Sequence, residues 1–387
     1  MRSCPVCESS PDHVLFTQHL VVPDRSPFPS SFVVLGCDLC GMVYSDIEID
    51  SASLDGYYED SVHSPPDIER NEAQLRHVAK YLATIAPPSA RVLDVGCASG
   101  RLLDHLKLVG FTDLNGVEPS TRGAAAARDL GFDVRRSVDE LEGLFDLVIV
   151  HHVLEHVPNV AEFLSALAGL LKRGGSSYIE VPDAMRYADF AYEPWLDFNL
   201  EHINHFSRWH LDAAMRRAGF SRIDSGAKTL DMAKDWGYPA IYGLWRLIKV
   251  PPRIMKPNMA LVRAAEQYID VSTGLQEDSD AKLLAGLDGR HLVVVRGMGQ
   301  LALRKLASPA FRELEIVVYV DADPFKQRLT FGGEPVVGPD YPLPPGVPVV
   351  ILTYRCQDEI AEEYARTDPT RHVIKLGERV CGRPEPT

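Results

Sequence analysis

Arg91–Val95, Leu114–Val117, Phe145–Val150 and Ser177–Val181 are short apolar runs of strand length. Between them, the segments from about Arg101, Thr121–Leu130 and Val160–Leu171 repeat apolar positions at helical spacing. Strands alternating with helices predict a doubly wound, parallel α/β sheet. Ahead of this series, Asp67–Ile85 has helical spacing and stops at Pro87-Pro88. After it, Tyr187–Arg208 is irregular and rich in aromatic residues and His, and Leu211–Ala218 predicts a helix closed by Gly219. Residues 226–285 predict a mostly helical connector containing Pro251-Pro252. A second series of strands, turns and helices starts at His291–Val295 and runs to about Leu376.

The second series reads as a degenerate copy of the first. The turn at Gly96 matches the turn at Gly297, strand-end Glu118-Pro119 matches Asp321 with Pro324 close by, and Leu147–His151 matches Val349–Thr353. Two residues before its glycine the copy has Val295, where the first has Asp94. The pattern implies a duplicated Rossmann-like unit whose second copy no longer holds the first copy's ligand. Chance similarity of two open α/β sheets remains the alternative.

A length of 387 residues suits two or three domains. The formal net charge of −14 speaks against a phosphate-backbone binder, so small molecules are expected as partners and nucleic acid is not. No stretch reaches the length of a membrane-spanning helix and Met1–Ser10 carries no apolar signal core, so no membrane association is expected and the cytoplasm is the expected location. In a reducing compartment, paired cysteines suggest metal. Cys4-Pro5-Val6-Cys7 and Cys37-Asp38-Leu39-Cys40 can place four thiolates on one zinc ion, a closed set that fits a structural role. A redox pair is the alternative for either knuckle alone. The expected divisions are a zinc-binding module over 1–65, an α/β domain over 66–225, the connector over 226–285 and a Rossmann-like domain over 286–387.

The chemistry of the first α/β domain begins at Asp94-Val95-Gly96-Cys97-Ala98-Ser99-Gly100, between a strand and a helix. Glycines there let backbone approach a ligand, and a carboxylate at the end of the next strand, Glu118, can take ribose hydroxyls. Asp94 would repel a pyrophosphate and suits a ligand bearing an ammonium group. Two further segments follow in order: His151-His152-Val153-Leu154-Glu155-His156-Val157-Pro158 and Leu171-Lys172-Arg173-Gly174-Gly175.

In order and spacing these segments resemble class I methyltransferases dependent on S-adenosylmethionine, over about residues 75–225. The resemblance implies that Asp94, Gly96 and Gly100, with Cys97 between them, hold the amino-acid end of the cofactor. It further implies that Glu118 holds the ribose, that Ser137 and Val138 lie near adenine, and that His151 and His152 lie beside the methyl region.

An N-terminal four-cysteine module, this domain and a degenerate Rossmann-like tail together resemble the three-domain zinc-containing sugar C-methyltransferases of deoxysugar biosynthesis. Tyr57-Tyr58-Glu59-Asp60-Ser61-Val62-His63-Ser64 is similar to their tyrosine-rich stretch over the active site, which marks Tyr57, Tyr58 and His63 as substrate contacts. Asn199-Leu200-Glu201-His202-Ile203-Asn204-His205-Phe206-Ser207 resembles their Glu-His segment. The resemblance implies His202 as base, Glu201 as its orienting group or a sugar contact, His205 as a further candidate, and Asn199 at the substrate. Where those enzymes carry a tyrosine this chain has Asn199, and His205 stands in place of an aromatic residue. The implied reaction is C-methylation of a nucleotide-linked keto sugar through an enolate. The alternatives are O- or N-methylation of a related small metabolite, and a cofactor-binding scaffold without turnover. The tail motif Gly297-x-Gly299-x-x-Ala302 with Asp321 also matches a dinucleotide fingerprint, which leaves a nicotinamide cofactor open beside a purely structural tail.

Overall fold

The apolar runs read above become strands in the computed structural model, which describes residues 1–10, 13–47, 68–233, 236–248, 256–354 and 356–376. The chain divides into two units. The first comprises Met1–His13, Leu35–Phe190 and Glu201–Ala265; the second comprises Val14–Val34, Ala191–Leu200 and Glu266–Thr387. Residues expected to form one N-terminal module are therefore shared between units: most of β1 (His13–His19) and of β2 (Ser31–Gly36) falls in the second, β3 (Val43–Asp46) in the first.

The first unit is built from α1 (Ile68–Ala83), β4 (Arg91–Val95), α2 (Arg101–Leu108), β5 (Asp113–Val117), α3 (Thr121–Asp129), β6 (Asp133–Arg135), β7 (Phe145–His151), α4 (Val160–Gly169) and β8 (Leu171–Pro182). Then come the two-residue β9 (Asn204–His205), α5 (Arg208–Arg217), β10 (Phe220–Ala233) and β11 (Trp236–Leu247). Seven of these strands form one sheet in the order β10-β11-β8-β7-β4-β5-β6. β11 runs antiparallel to both of its neighbours, while β8, β7, β4, β5 and β6 are parallel. β7 reads as almost unbroken apolar text because a parallel strand is covered on both faces. On one face Val92, Leu147, Ile149 and Tyr178 pack against Val78 and Leu82 of α1, Leu102 and Leu106 of α2, and Ala124 and Ala127 of α3. α3 starts where the Ser120 side chain accepts a hydrogen bond from Gly123 N, an N-cap that satisfies a donor the helix cannot.

The expectation of a mostly helical connector over 226–285 is corrected in its first part. Phe220–Ala233 and Trp236–Leu247 are two long strands of the sheet. Gly226, Gly237 and Gly243 obscure the alternation in the text, yet each sits where a side chain would collide with Tyr242, Thr229 or Trp245. Among the described residues, the helix of this stretch is α6 (Ala260–Leu287).

The second unit continues with β12 (Leu292–Arg296), α7 (Gln300–Lys305), α8 (Pro309–Arg312), β13 (Glu315–Val320), β14 (Thr330–Phe331), β15 (Glu334–Val337), β16 (Val349–Ile351), α9 (Gln357–Thr367) and β17 (Val373–Lys375). Its sheet order is β14-β15-β13-β12-β16-β17, with β14 antiparallel to β15 and the other pairs parallel. The five parallel strands repeat the order of β6-β5-β4-β7-β8 in the first unit. The repetition extends to single hydrogen bonds. Gly96 N donates to Val117 O and Gly297 N to Val320 O; Glu118 N donates to Arg135 O and Asp321 N to Val337 O. Among the described residues, no helix is long and apolar enough to cross a membrane.

Candidate active site

β4 ends in a left-handed turn. Gly96 has φ +76°, and a Cβ there would lie 2.5 Å from Val153 Cγ2, so both conformation and space exclude a side chain. The turn is held from the next strand: Ala98 N donates to Glu118 Oε2 at 2.9 Å, and Ser120 N donates to Glu118 Oε1 at 2.8 Å. Each oxygen keeps a lone pair for another donor. Gly100 precedes α2 at φ +79°. Cys97 is buried, with its sulfur packed over Gly116, where a Cβ would come within 2.6 Å of it; burial pushes its thiol well above the ordinary range. That surrounding gives Cys97 a packing role within the turn.

Asp94 is 2 % exposed, and burial together with the neighbouring Glu118 carboxylate pushes its pKa up to about 8. Two carboxyl groups this close at the end of β4 and β5 are best balanced by a cationic ligand. The glycine turn, the two acids and the lone pairs of Glu118 fit the ammonium and ribose groups of S-adenosylmethionine. Ser137, two residues beyond β6, caps a short 3-10 turn by accepting from Asp139 N.

β7 delivers His151 and His152 to the same end of the sheet. His152 has φ +53°, a backbone region that seldom accepts a residue with Cβ. It is held there by its N–H, which donates to Glu180 O at 2.9 Å, and by Nδ1, which lies 3.2 Å from Glu155 Oε1. Burial opposes its charge, but the Glu155 and Glu180 carboxylates outweigh that and lift its pKa to about 9. Burial drives His151 the other way, below its usual value. Burial also works against ionised Glu155, but hydrogen bonding to His152 and the nearby imidazoles take it down to about 2.

The loop after β7 meets the Glu-His segment. Ile203 N donates to Glu155 O at 2.9 Å, His156 Nδ1 donates to Glu201 O at 2.9 Å, and the His156 and His202 rings meet edge to face with centroids 5.0 Å apart. His156 is one of the ties between the two segments. Loss of water around the His202 ring lowers its pKa to about 4, so the imidazole is neutral at neutral pH.

His205, expected as a further catalytic candidate, lies in β9. It is fully buried, pairs with Val43 of β3, and its Nε2 lies 3.3 Å from Ser45 Oγ. Burial lowers its pKa to about 3. A ring enclosed in this way packs against Ser45 and the strands beside it. Asn199 belongs to the second unit, where its amide donates to Leu196 O. Tyr57, Tyr58 and His63 lie outside the described residues.

Sequence reasoning missed Glu180, which is 0 % exposed in β8. Its Oε2 accepts from Tyr178 OH at 2.5 Å and sits 2.7 Å from Lys228 Nζ, while Oε1 faces the two histidines. A charged residue inside the apolar run Tyr178-Ile179-Glu180-Val181 was the available signal, because such residues are seldom buried unpaired. Lys228 was hidden by the misread of β10.

The four cysteines come together as expected from their spacing. Cys4 Sγ lies 3.6 Å from Cys40 Sγ and Cys7 Sγ 3.5 Å from Cys37 Sγ, with all four sulfurs within 4.8 Å of one another. A tetrahedron of thiolates at zinc–sulfur distances of about 2.3 Å has edges close to these separations. In the tail, Asp321 accepts from Met298 N and Asp323 N, as Glu118 does from its own turn, but Lys326 Nζ at 3.3 Å also occupies it.

Residues 68–225 match the family model of a methyltransferase domain. Curated relatives include the ubiquinone biosynthesis O-methyltransferase of Xanthomonas campestris pv. campestris, 34% identical over 120 residues, which are 28% of this chain and 48% of that protein. The enzyme of the same name from Bradyrhizobium diazoefficiens is 38% identical over 94 residues, 22% of this chain and 37% of that one. The chain thus spans about half or less of the length of these relatives. Among solved structures, the Burkholderia thailandensis 1,6-didemethyltoxoflavin-N1-methyltransferase, with 1,6-didemethyltoxoflavin and S-adenosylhomocysteine bound, is 21% identical. That alignment has a TM-score of 0.41 and covers 56% of this chain and 95% of the other.

Proposed function

We propose that this chain is an S-adenosylmethionine-dependent methyltransferase acting on a small molecule. The observation that carries the reading is the Gly96 turn clamped by Glu118 beside the buried Asp94, inside the segment that matches a methyltransferase domain. When bound, S-adenosylmethionine supplies an electrophilic methyl carbon. Asp94 and Glu118 would hold its ammonium and ribose groups. His151 and His152, at the end of β7, would border the methyl region.

His202 would take the proton of the acceptor. Its ring is neutral at neutral pH and is held by its neighbours Glu201 and Ile203, both tied to the loop after β7. For a carbon beside a carbonyl, loss of that proton creates the enolate that can be methylated, and the sequence resemblance points to a nucleotide-linked keto sugar. A second reading, O-methylation of a hydroxyl, is favoured by Asn199, which has no phenol to offer, and by the names of the curated relatives. Zinc at the four cysteines would hold the Cys4 and Cys37 turns together and leaves no open position for chemistry.

The test is mass spectrometry of small molecules that copurify with the full chain, followed by incubation with S-adenosylmethionine. Formation of S-adenosylhomocysteine and a product heavier by one methylene is expected. Exchange of an acceptor C–H with heavy water separates the carbon acceptor from the hydroxyl. Failure of every copurifying acceptor to be methylated, with the cofactor bound, would leave a binding scaffold.

A further inference from the structure

Three ligand-type side chains converge on one point at the carboxyl ends of β7 and β8. His151 pairs with Glu180 in the strand register, and His152 is next in the chain. Glu180 Oε1 lies 3.6 Å from His151 Nε2 and 3.4 Å from His152 Nε2, and one donor atom from each of the three residues lies within 4.8 Å of the others. Donors about 2.0–2.2 Å from a tetrahedral ion stand about 3.3–3.6 Å apart. Glu180 Oε1 and His152 Nε2 are both buried and have no hydrogen-bond partner among the described residues. Without a metal, a proton on His152 Nε2 faces this carboxylate oxygen; a divalent cation between the two atoms would displace it.

The atoms behind these donors are already engaged. His152 Nδ1–H donates to Glu155 Oε1, which fixes the tautomer that leaves Nε2 as the ligand atom. Tyr178 and Lys228 hold the other oxygen of Glu180 and turn Oε1 toward the histidines. Side-chain exposures of 19% for His151 and 24% for His152 against 0% for Glu180 leave one side of the triad open. Lys228 already offsets the carboxylate charge, so the two imidazoles must supply most of the binding. That selects a nitrogen-preferring ion over magnesium or calcium.

We propose that His151, His152 and Glu180 form a site for a divalent first-row transition ion, with an open position for an oxygen of the acceptor. The open position rests on the methyltransferase reading, whereas the ion site does not. The ion would polarise the acceptor oxygen and draw its proton toward release.

The full chain is first given one equivalent of zinc, which the four thiolates take ahead of the nitrogen and oxygen donors. Cobalt(II) is then titrated by calorimetry and visible absorption without S-adenosylmethionine. Wild type is expected to bind one more ion per chain than the His151→Phe/His152→Phe double variant, without the sulfur-to-cobalt band of a thiolate site. Glu155→Gln, which removes the carboxylate that accepts from His152 Nδ1–H, should weaken this ion by about 10–100-fold. Glu180 is so enclosed that its replacement could unfold the sheet, which is why the partly exposed histidines carry the test. Equal ion counts in wild type and the double variant would overturn the site, whatever the methyl-transfer assays give. Ion binding without methyl transfer would keep the site and overturn its role.

Discussion

His156 Nδ1 donates to the backbone oxygen of Glu201 at 2.9 Å, and this bond places the residue before His202 against the loop that follows β7. Two segments far apart in the chain thereby share one end of the sheet, where open α/β sheets bind their ligands.

His202→Asn keeps a polar side chain but cannot take a proton. Turnover should fall by about 10²–10⁴-fold, the usual contribution of a general base, while S-adenosylmethionine affinity stays near that of wild type. Because His202 titrates near 4, its protonation should not depress wild-type turnover between pH 8 and 6; the loss it causes belongs near pH 4. Steady-state rates across that range, with calorimetry of cofactor binding, check both statements. Near-normal turnover in the variant would remove His202 as the base.

Glu118→Ala removes the acceptor of two turn N–H groups and the ribose carboxylate together. Cofactor binding should weaken by roughly 1–3 kcal/mol, the range for hydrogen bonds to a charged group. Titration calorimetry with an unchanged Kd would count against the placement of the ribose.

His205 has a folded pKa of about 3 against an ordinary 6.5, so the fold prefers the neutral ring. Its contribution is complete above pH 6.5 and is lost as pH falls toward 3. At about 1.4 kcal/mol per unit, the fall from pH 7 to 4.5 should cost the fold about 2–3 kcal/mol through this residue. His205→Phe should lose about 1 kcal/mol at pH 7 with the Ser45 bond, and then show a shallower acid decline than wild type. Urea midpoints at the two pH values report the difference; parallel declines would contradict the burial.

Zinc should be found at about one ion per chain in gently purified, reduced protein. Cys37→Ser should lose it and lower the stability of the first unit, since binding energy at a structural zinc is folding energy. Metal analysis after extended chelation, followed by thermal unfolding, measures both. A chain that keeps its unfolding temperature with its zinc gone would show that the cysteines hold no structural ion.

The parallel sheet of the first unit was legible because buried parallel strands write themselves as apolar runs, as Phe145–Val150 does, and because Gly96 and Glu118 must occupy fixed places at strand ends. The four cysteines were legible for the same local reason: each knuckle is short enough to set its own geometry. The duplication was visible as the spacing of Gly297 and Asp321, and the repeated strand order agrees with it. Tertiary structure alone decided the rest. The antiparallel pair of β10 and β11 owes its form to neighbours in the sheet, since Gly226 and Gly237 are set by Tyr242 and Thr229 across the strands and Gly243 by Trp245 along its own. Glu180 and Lys228 become partners only because β11 lies between their strands. His202 and His205 are of one residue type, three positions apart, yet one borders the loop after β7 and the other is sealed against Ser45. Burial and pairing, which no single residue carries in its own text, separate their roles.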